Sequence, residues 1–219
     1  MLSDISAMTD RTDRGRKLNL LTGRRFSVLP FLAAMASPML AAGPVVLIVG
    51  PPGSGRTTQA EFLKKELGMT VIAADDLIAR NHDKLQKYKV PELQGVDPHL
   101  DPAMNGLVEE AMASADLTKG VVLDGYPASK IQGDFLGSLR EKFHLQHSVV
   151  IHLSVPDDVV RKRLKDPKRD LEQELKDYHR EFDFVRVYFP DANIRSVDGT
   201  KDRGHVAKEI RKIVEGLKD

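Results

Sequence analysis

A glycine-rich loop carries the residue types that could hold a phosphate group. It reads GPPGSGRTT from Gly50 to Thr58, directly after five apolar residues and directly before a helical pattern. Glycines let the backbone turn tightly and approach a ligand, and the N–H groups at a helix N-terminus attract anions. Strand, glycine loop and helix in this order predict a phosphate-binding loop rather than a turn that binds nothing.

The loop departs from the general pattern G-x-x-x-x-G-K-[ST] at one position, where Arg56 replaces the lysine. Arginine keeps the positive charge, but its planar head is wider and is not an equivalent replacement. We expect Arg56 to brace the phosphates of a bound triphosphate. The predicted cofactor contacts in the loop are Gly50, Pro51, Gly53, Ser54, Gly55, Arg56, Thr57 and Thr58.

Two aspartates follow apolar runs and could hold a Mg²⁺ ion that accompanies a phosphate. Asp76 comes shortly after TVIA, and Asp124 ends the run VVLD. An aspartate at the end of a strand beside a phosphate loop can hold Mg²⁺ through water, together with a threonine at the helix start. Helix capping for Asp76 and a plain Asp-Gly turn for Asp124 are the alternatives. The predicted metal ligands are Thr58, Asp76 and Asp124.

Five short apolar runs alternate with helical patterns and must position these residues. This alternation predicts an α/β fold of the P-loop type, with three layers around a five-stranded parallel sheet. Ligands of such sheets bind at the carboxyl ends of the strands, so Gly50, Asp76 and Asp124 should gather there. The predicted strands lie within residues 45–49, 70–73, 120–124, 148–153 and 194–197.

Composition limits the classes of function. The chain has 219 residues, 41% hydrophobic and 30% charged, which is the ordinary composition of a soluble domain. A net charge of +1 gives no reason to expect nucleic acid as a partner. There is no cysteine, so disulfides and thiolate metal sites are excluded. We predict one domain over residues 44–219, acting as a monomer.

Residues 1–43 form a separate leader. A basic region is followed by an apolar region and by Ala34-Met35-Ala36, the outline of a secretory signal peptide. Two prolines interrupt the segment, and a domain that uses ATP has little nucleotide outside the cytoplasm. We therefore expect a cytoplasmic protein with a disordered extension, with export as the alternative. The apolar part is too short for a comfortable membrane span.

Three motifs in order resemble those of the adenylate kinases, the nucleoside monophosphate kinases of the P-loop class. They are GPPGSGRTTQA from Gly50, GVVLDGYPASKIQ from Gly120, and VDGTK from Val197. The resemblance covers the chain from about Val45 to its C-terminus. It implies ATP and Mg²⁺ as cofactors and nucleotides as substrates. It implies catalytic roles for Arg56, Asp124 and Arg163, adenine contacts for Gly199 and Lys201, and acceptor contacts for Asp76, Gly125 and Gln132.

The chain also departs from the family where arginines would hold the acceptor phosphate and the transferred group. The family has a threonine at the position of Ala74 and arginines at those of Ala79 and Ala128. It also has an arginine shortly before the helix tyrosine Tyr178, where this chain has Glu174. Arg169 is a candidate substitute for that arginine. The lid is nearly absent, because Asp166 to Arg169 leaves no room for a mobile domain.

Three functions are compatible with this pattern. The first is transfer of the γ-phosphoryl group of Mg-ATP to a nucleoside monophosphate, with AMP the family default. The second is a nucleotide-binding protein with little turnover that acts through a partner, which the missing arginines favour. The third is a kinase for a different small acceptor, because Ala74, Ala79 and Ala128 all lack the groups that would hold a phosphate in one pocket.

Overall fold

A computed structural model describes residues 42–86, 101–145, 147–189 and 193–217. Its centre is a parallel sheet of five strands in the order β2-β3-β1-β4-β5. The first strand is the central strand of the sheet, and the glycine loop that follows it lies at the carboxyl edge. The strands are β1 (Val45–Val49), β2 (Thr70–Ala73), β3 (Val121–Asp124), β4 (Ser148–Ser154) and β5 (Ile194–Asp198).

Helices connect the strands and cover both faces of the sheet. Gly68 ends the first helix in a left-handed conformation with φ 69°, which glycine adopts without strain. The helices are α1 (Arg56–Leu67), α2 (Ala74–Arg80), α3 (His82–Gln86), α4 (Asp101–Ala113), α5 (Lys130–Lys142), α6 (Asp157–Arg163), α7 (Leu171–Tyr188) and α8 (Arg203–Glu215).

Alternate residues of the central strand enter two separate cores. Val45 and Leu47 pack with residues of α4, α5 and α7, whereas Val46 and Ile48 pack with residues of α1 and α8. All four side chains are fully buried. A strand that is apolar on both faces lies between two helical layers, so the predicted three-layer α/β fold is confirmed.

The strand register brings the predicted site residues to one edge. Ile48 pairs with Asp124, and Ala73 pairs with the same residue from the other side. Gly50 therefore follows β1 next to the end of β3. Only residues 164–170 connect α6 to α7, so the reduced lid predicted from the sequence is confirmed.

The predicted leader lies outside the described residues except for Ala42 and Gly43, and it stays a prediction. Ala42 forms a parallel bridge with Leu145, and the backbone N–H of Gly43 donates to Leu117. Within the ranges described, none of the helices combines the length and the apolar character that crossing a bilayer requires.

Candidate nucleotide site

The glycine loop folds around the N-terminus of α1. Gly53 and Gly55 have φ values of 70° and 99°, a left-handed region that strains other residues. Gly55 is the residue that precedes the helix, and the N–H of Ser54 donates to the carbonyl of Pro51 at 3.0 Å. The first N–H groups of α1 have no partner within their helix, so they can receive an anion.

The loop is tightly packed on the side where Gly50 meets Ser54, and its other side faces an open cavity. A Cβ atom on Gly50 would lie 2.7 Å from Ser54 Oγ, which leaves no space for a side chain. Ser54 Oγ is buried and has no hydrogen-bond partner among the described residues. Above the loop is a cavity of about 500 Å³, large enough for a triphosphate. An unsatisfied buried hydroxyl in a loop of this shape fits a bound phosphate chain.

Asp124 is the buried carboxylate of the site. Its Oδ2 accepts a hydrogen bond from Thr57 Oγ1 at 3.0 Å, and its Oδ1 lies 3.5 Å from Arg56 Nε. Burial raises the pKa of Asp124, although the charge of Arg56 and the Thr57 hydrogen bond oppose the shift. These three groups are the ones that would meet the metal and the terminal phosphates of a nucleotide.

The structure brings Thr57, not Thr58, to Asp124. Thr58 lies one residue further along α1, a rotation of about 100°, and it borders the cavities on both sides of the loop. The assignment of Thr58 as a metal ligand stays a prediction, and Thr57 is a second candidate because its hydroxyl contacts Asp124. The general pattern already held this signal, because its Ser or Thr directly follows the basic residue, here Arg56.

Asp76 is an exposed residue of α2, and its charge, like that of Asp75, contributes to raising the pKa of Asp124. Its carboxylate is 68% exposed and lies 3.7 Å from Arg80 one turn along α2. Asp75 instead borders the cavity above the loop. The roles of Asp76 as a metal ligand and acceptor contact stay predictions, and Asp75 is a second candidate because it borders the cavity. Among the residues described, no group of three or more His, Asp or Glu stands close enough to hold a metal ion alone.

A second cavity, of about 480 Å³, adjoins the loop on the side of α8. Arg163 spans it, with Nη2 donating to the carbonyl of Gly199 at 2.9 Å and Nη1 to that of Gly53 at 3.3 Å. Lys201 also borders this cavity. A Cβ on Gly199 would lie 2.6 Å from a methyl of Val155, so only glycine fits there. The structure thus brings together the residues predicted to receive the adenine.

Gln132 is buried, and both ends of its amide are hydrogen-bonded within the chain. Its side chain is 1% exposed, Nε2 donates to Asp101 Oδ1 at 2.8 Å, and Oε1 accepts from the N–H of Ala128 at 2.8 Å. Asp101 also accepts from Ser129 Oγ at 2.9 Å. The acceptor contact of Gln132 stays a prediction, and in this structure the amide closes the turn before α5.

The neighbouring surface is also filled by the chain itself. Tyr126 OH donates to Asn105 Oδ1 at 2.7 Å, deep in the interior. Gly125 has φ 75° and stands against Ala74, whose Cβ would be 3.4 Å from a Cβ on the glycine. Glycine at position 125 therefore allows a turn with positive φ and the close approach of Ala74. Alanines stand at positions 74, 79 and 128.

Helix α7 forms the opposite wall of the loop cavity. Arg169 precedes this helix, and its guanidinium makes two hydrogen bonds to Glu174, one of them from Nε to Oε1 at 2.9 Å. Asp177 accepts from Arg180 at 2.7 Å. Arg169 therefore reaches the cavity, as the sequence suggested, but Glu174 neutralises its charge. The wall consists of Arg169, Glu174, Asp177, Tyr178 and Glu181.

A buried polar cluster, which gave no signal in the sequence, holds α7 to the sheet. His152 of β4 lies 2.9 Å from Ser196 Oγ through Nδ1 and 2.8 Å from Tyr178 OH through Nε2. Its ring also stacks on Phe182 at 3.9 Å. Burial lowers the pKa of His152 to about 4 and raises the pKa of Tyr178 to about 12, so both are uncharged at neutral pH.

Comparison with known proteins agrees with this geometry. A protein family described as an AAA domain matches residues 49–177. The adenylate kinase of Micrococcus luteus is 30% identical over 183 residues, covering 77% of this chain and 89% of that protein. That of Thermotoga neapolitana is 32% identical over 124 residues, covering 54% of this chain and 56% of that protein. The adenylate kinase of Mycolicibacterium vanbaalenii is 33% identical over 128 residues, covering 57% of this chain and 71% of that protein.

The match extends through the loop, the aspartate that ends β3 and most of the sheet. The connection between α6 and α7 is short, at residues 164–170. With its nucleotide-kinase-like P-loop at the carboxyl edge of a parallel sheet, this chain belongs to the adenylate kinase family, as a divergent member.

Proposed function

We propose that the protein is an ATP-dependent phosphotransferase that moves the γ-phosphoryl group of Mg-ATP to a small acceptor. The observation that carries this proposal is the cluster of Arg56, Thr57 and Asp124 at the N-terminus of α1. A carboxylate and a hydroxyl suit a magnesium ion, and a guanidinium suits phosphate oxygens. No ordinary packing requirement places all three groups beside an open cavity.

The loop would bind the phosphates of ATP through backbone groups. The N–H groups at the start of α1 and the helix dipole favour the negative charge of the β-phosphate. Arg56, which is about one-third exposed, would contact the β- and γ-phosphates from the side of Asp124. The base would lie in the cavity that Arg163, Gly199 and Lys201 border.

Thr57 and Asp124 would hold Mg²⁺, Asp124 through water. The ion would neutralise the charge that develops on the phosphate oxygens. Burial raises the pKa of Asp124, and the chain's own residues oppose part of that shift. The guanidinium of Arg56 and the hydroxyl of Thr57 both stabilise the charged carboxylate. A bound cation would stabilise the charged form further.

A second candidate is a nucleotide-binding protein with little turnover. Two observations favour it: Gln132 is committed to Asp101, and Arg169 is committed to Glu174. Both groups lie on the acceptor side, whereas the ATP side keeps its charged groups next to open space. The two candidates differ in turnover, so ADP release separates them.

Calorimetric titration of the full chain with ATP and Mg²⁺ tests the part common to both candidates. We expect binding that Gly55→Val weakens by about 100-fold, because a β-branched residue is strained at φ 99°. Gly137→Ala is the matched control, since a Cβ there meets open space and the residue is remote from the loop. Absence of ATP binding at millimolar concentration would overturn the proposal.

A further inference from the structure

Tyr178 connects the wall of the loop cavity that α7 forms, here called the α7 wall, to the sheet. The residue is mostly buried, and it borders the cavity above the glycine loop. Its hydroxyl lies 2.8 Å from Nε2 of His152, a buried residue of β4. One side chain of α7 therefore contacts both the cavity and the interior of the protein.

His152 stands beside the end of the strand that leads into the loop. It pairs in register with Val49, the residue before Gly50, and on its other side with Ser196 of β5. Nδ1 of the imidazole lies 2.9 Å from Ser196 Oγ, so both ring nitrogens have partners. A neutral imidazole donates through one nitrogen and accepts through the other, so the two contacts fix the orientation of the ring. His152 thereby links α7 to the sheet at the level of the loop.

Apolar packing alone would not fix the position of α7 in this way. The ring of His152 stacks on Phe182 with the ring centroids 3.9 Å apart, a contact that an apolar ring could also make. Hydrophobic contact is not directional, whereas the hydrogen bond to the Tyr178 hydroxyl requires aligned atoms. The polar pair therefore adds a defined distance between α7 and the sheet, which apolar side chains would not supply.

That distance matters because the α7 wall would face the phosphoryl group in transfer. Arg169, Glu174 and Asp177 border the same cavity as the glycine loop and Arg56. Glu174 lies one helical turn before Tyr178, so a shift of the helix at Tyr178 displaces this part of the wall as well. Misplacing a group of an active site by about 1 Å can lower the rate by about 100-fold.

We propose that His152 is a positioning residue, which holds the α7 wall at a fixed distance from the phosphate loop through the hydroxyl of Tyr178. The inference rests on the proposed function and names a residue on which the geometry of transfer depends. His152 acts through Tyr178 rather than by touching the nucleotide. Loss of its hydrogen bond should therefore leave binding of the nucleotide to the loop intact and weaken only the interactions with the group in transfer.

Calorimetric titration of the full chain compares Mg-ADP alone with Mg-ADP and fluoroaluminate, which takes the place of the transferred phosphoryl group. Wild type should bind ADP more tightly when fluoroaluminate is present. His152→Asn, whose amide reaches Ser196 but not Tyr178, should lose about 10-fold of this gain in affinity, with the affinity for Mg-ADP alone unchanged. His152→Gln, whose longer side chain reaches the position of Nε2, should keep most of the gain.

Two further variants separate positioning from stability. Tyr178→Phe keeps the ring and removes only the hydroxyl, so it should reproduce the loss seen in His152→Asn, and it replaces that variant if the latter does not fold. Ser196→Ala is the matched control, because it removes the other contact of the imidazole; it should lower the melting temperature and leave the gain unchanged.

Three results would overturn the inference: an unchanged gain in Tyr178→Phe, an equal loss in Ser196→Ala, or no gain from fluoroaluminate in wild type. Failure of Mg-ADP to bind to wild type would instead remove the proposed function, so the two failures are distinguishable.

Discussion

The loop from Gly50 to Gly55 and the turn around Gln132 follow neighbouring strands, β1 and β3, yet their polar groups are partnered differently. In the loop, Ser54 Oγ has no partner among the described residues, and the N–H groups that begin α1 open into a cavity. Around Gln132, both ends of the amide and the carboxylate of Asp101 are satisfied within the chain.

The loop therefore keeps a polar group that its own chain does not satisfy, whereas the turn around Gln132 is closed by hydrogen bonds that stabilise the folded chain. On the proposed function, the loop binds ATP and the turn borders the acceptor side. Removing a residue from the loop should therefore cost binding, and removing one from the turn should cost stability.

The largest expected effect is that of Asp124→Asn on nucleotide binding. It removes the charge that holds Mg²⁺ but keeps an acceptor for Thr57, so Mg-ATP affinity should fall by about 100-fold. Stability of the free protein should change in the opposite direction. The pKa of Asp124 is raised above 3.8 in the folded state. Ionisation of Asp124 therefore lowers the free energy of unfolding, and this loss develops as the pH rises from the unfolded-state pKa through the folded-state pKa.

Thermal unfolding of wild type and variant from acid to neutral pH tests this opposition. The melting temperature of Asp124→Asn should exceed that of wild type by an amount that grows towards neutral pH. Asp116→Asn is the control, because hydrogen bonds from Thr118 lower the pKa of this exposed carboxylate and give the reverse sign. A lower melting temperature for Asp124→Asn at neutral pH would mean that the contact with Arg56 outweighs burial.

Gln132→Ala should have a smaller effect, and on stability alone. It leaves the N–H of Ala128 without an acceptor and Asp101 with one donor fewer, which should cost about 2 kcal/mol. Urea unfolding measures this cost, and Gln173→Ala, an exposed residue on α7, is the control. ATP affinity should be unchanged. Unchanged stability together with altered acceptor use would instead indicate that Gln132 contacts the acceptor.

The smallest expected effect is that of Arg56→Lys. A lysine is a compact charge that can follow the phosphoryl group, whereas the guanidinium is a fixed fork beside Asp124. The rate of ADP release should rise by about 5-fold with little change in the ATP dissociation constant. Arg56→Ala should weaken binding outright. An unchanged rate in the lysine variant would show that the loop has been reshaped around arginine.

The fold was predictable from local signals. Strands β1 to β4 are mainly apolar, β5 mixes apolar and polar residues, and the loop carries glycines where positive φ values are found. None of these signals required knowledge of distant residues. The start of α4 was not predictable in the same way. Asp101 falls at the end of a stretch rich in proline and glycine, yet it begins the helix and is buried against Ser129 and Gln132.

Two features of the site could not be predicted from residue types alone. Thr57 differs from Thr58, and Asp75 from Asp76, by one helical position, a rotation of about 100° that residue types alone do not fix. The amide of Gln132 is committed to a carboxylate 31 positions earlier in the chain. A motif gives the identity of such a residue but not the contacts that tertiary structure supplies.

The short connection between α6 and α7 has a kinetic consequence. Kinases that close a mobile domain over the nucleotide exclude water from the phosphoryl group, and opening of that domain often limits turnover. Residues 164–170 are too few to form such a cover. Nucleotide exchange should therefore not wait for a domain to open, and loss of the phosphoryl group to water should depend on whether an acceptor fills the cavity.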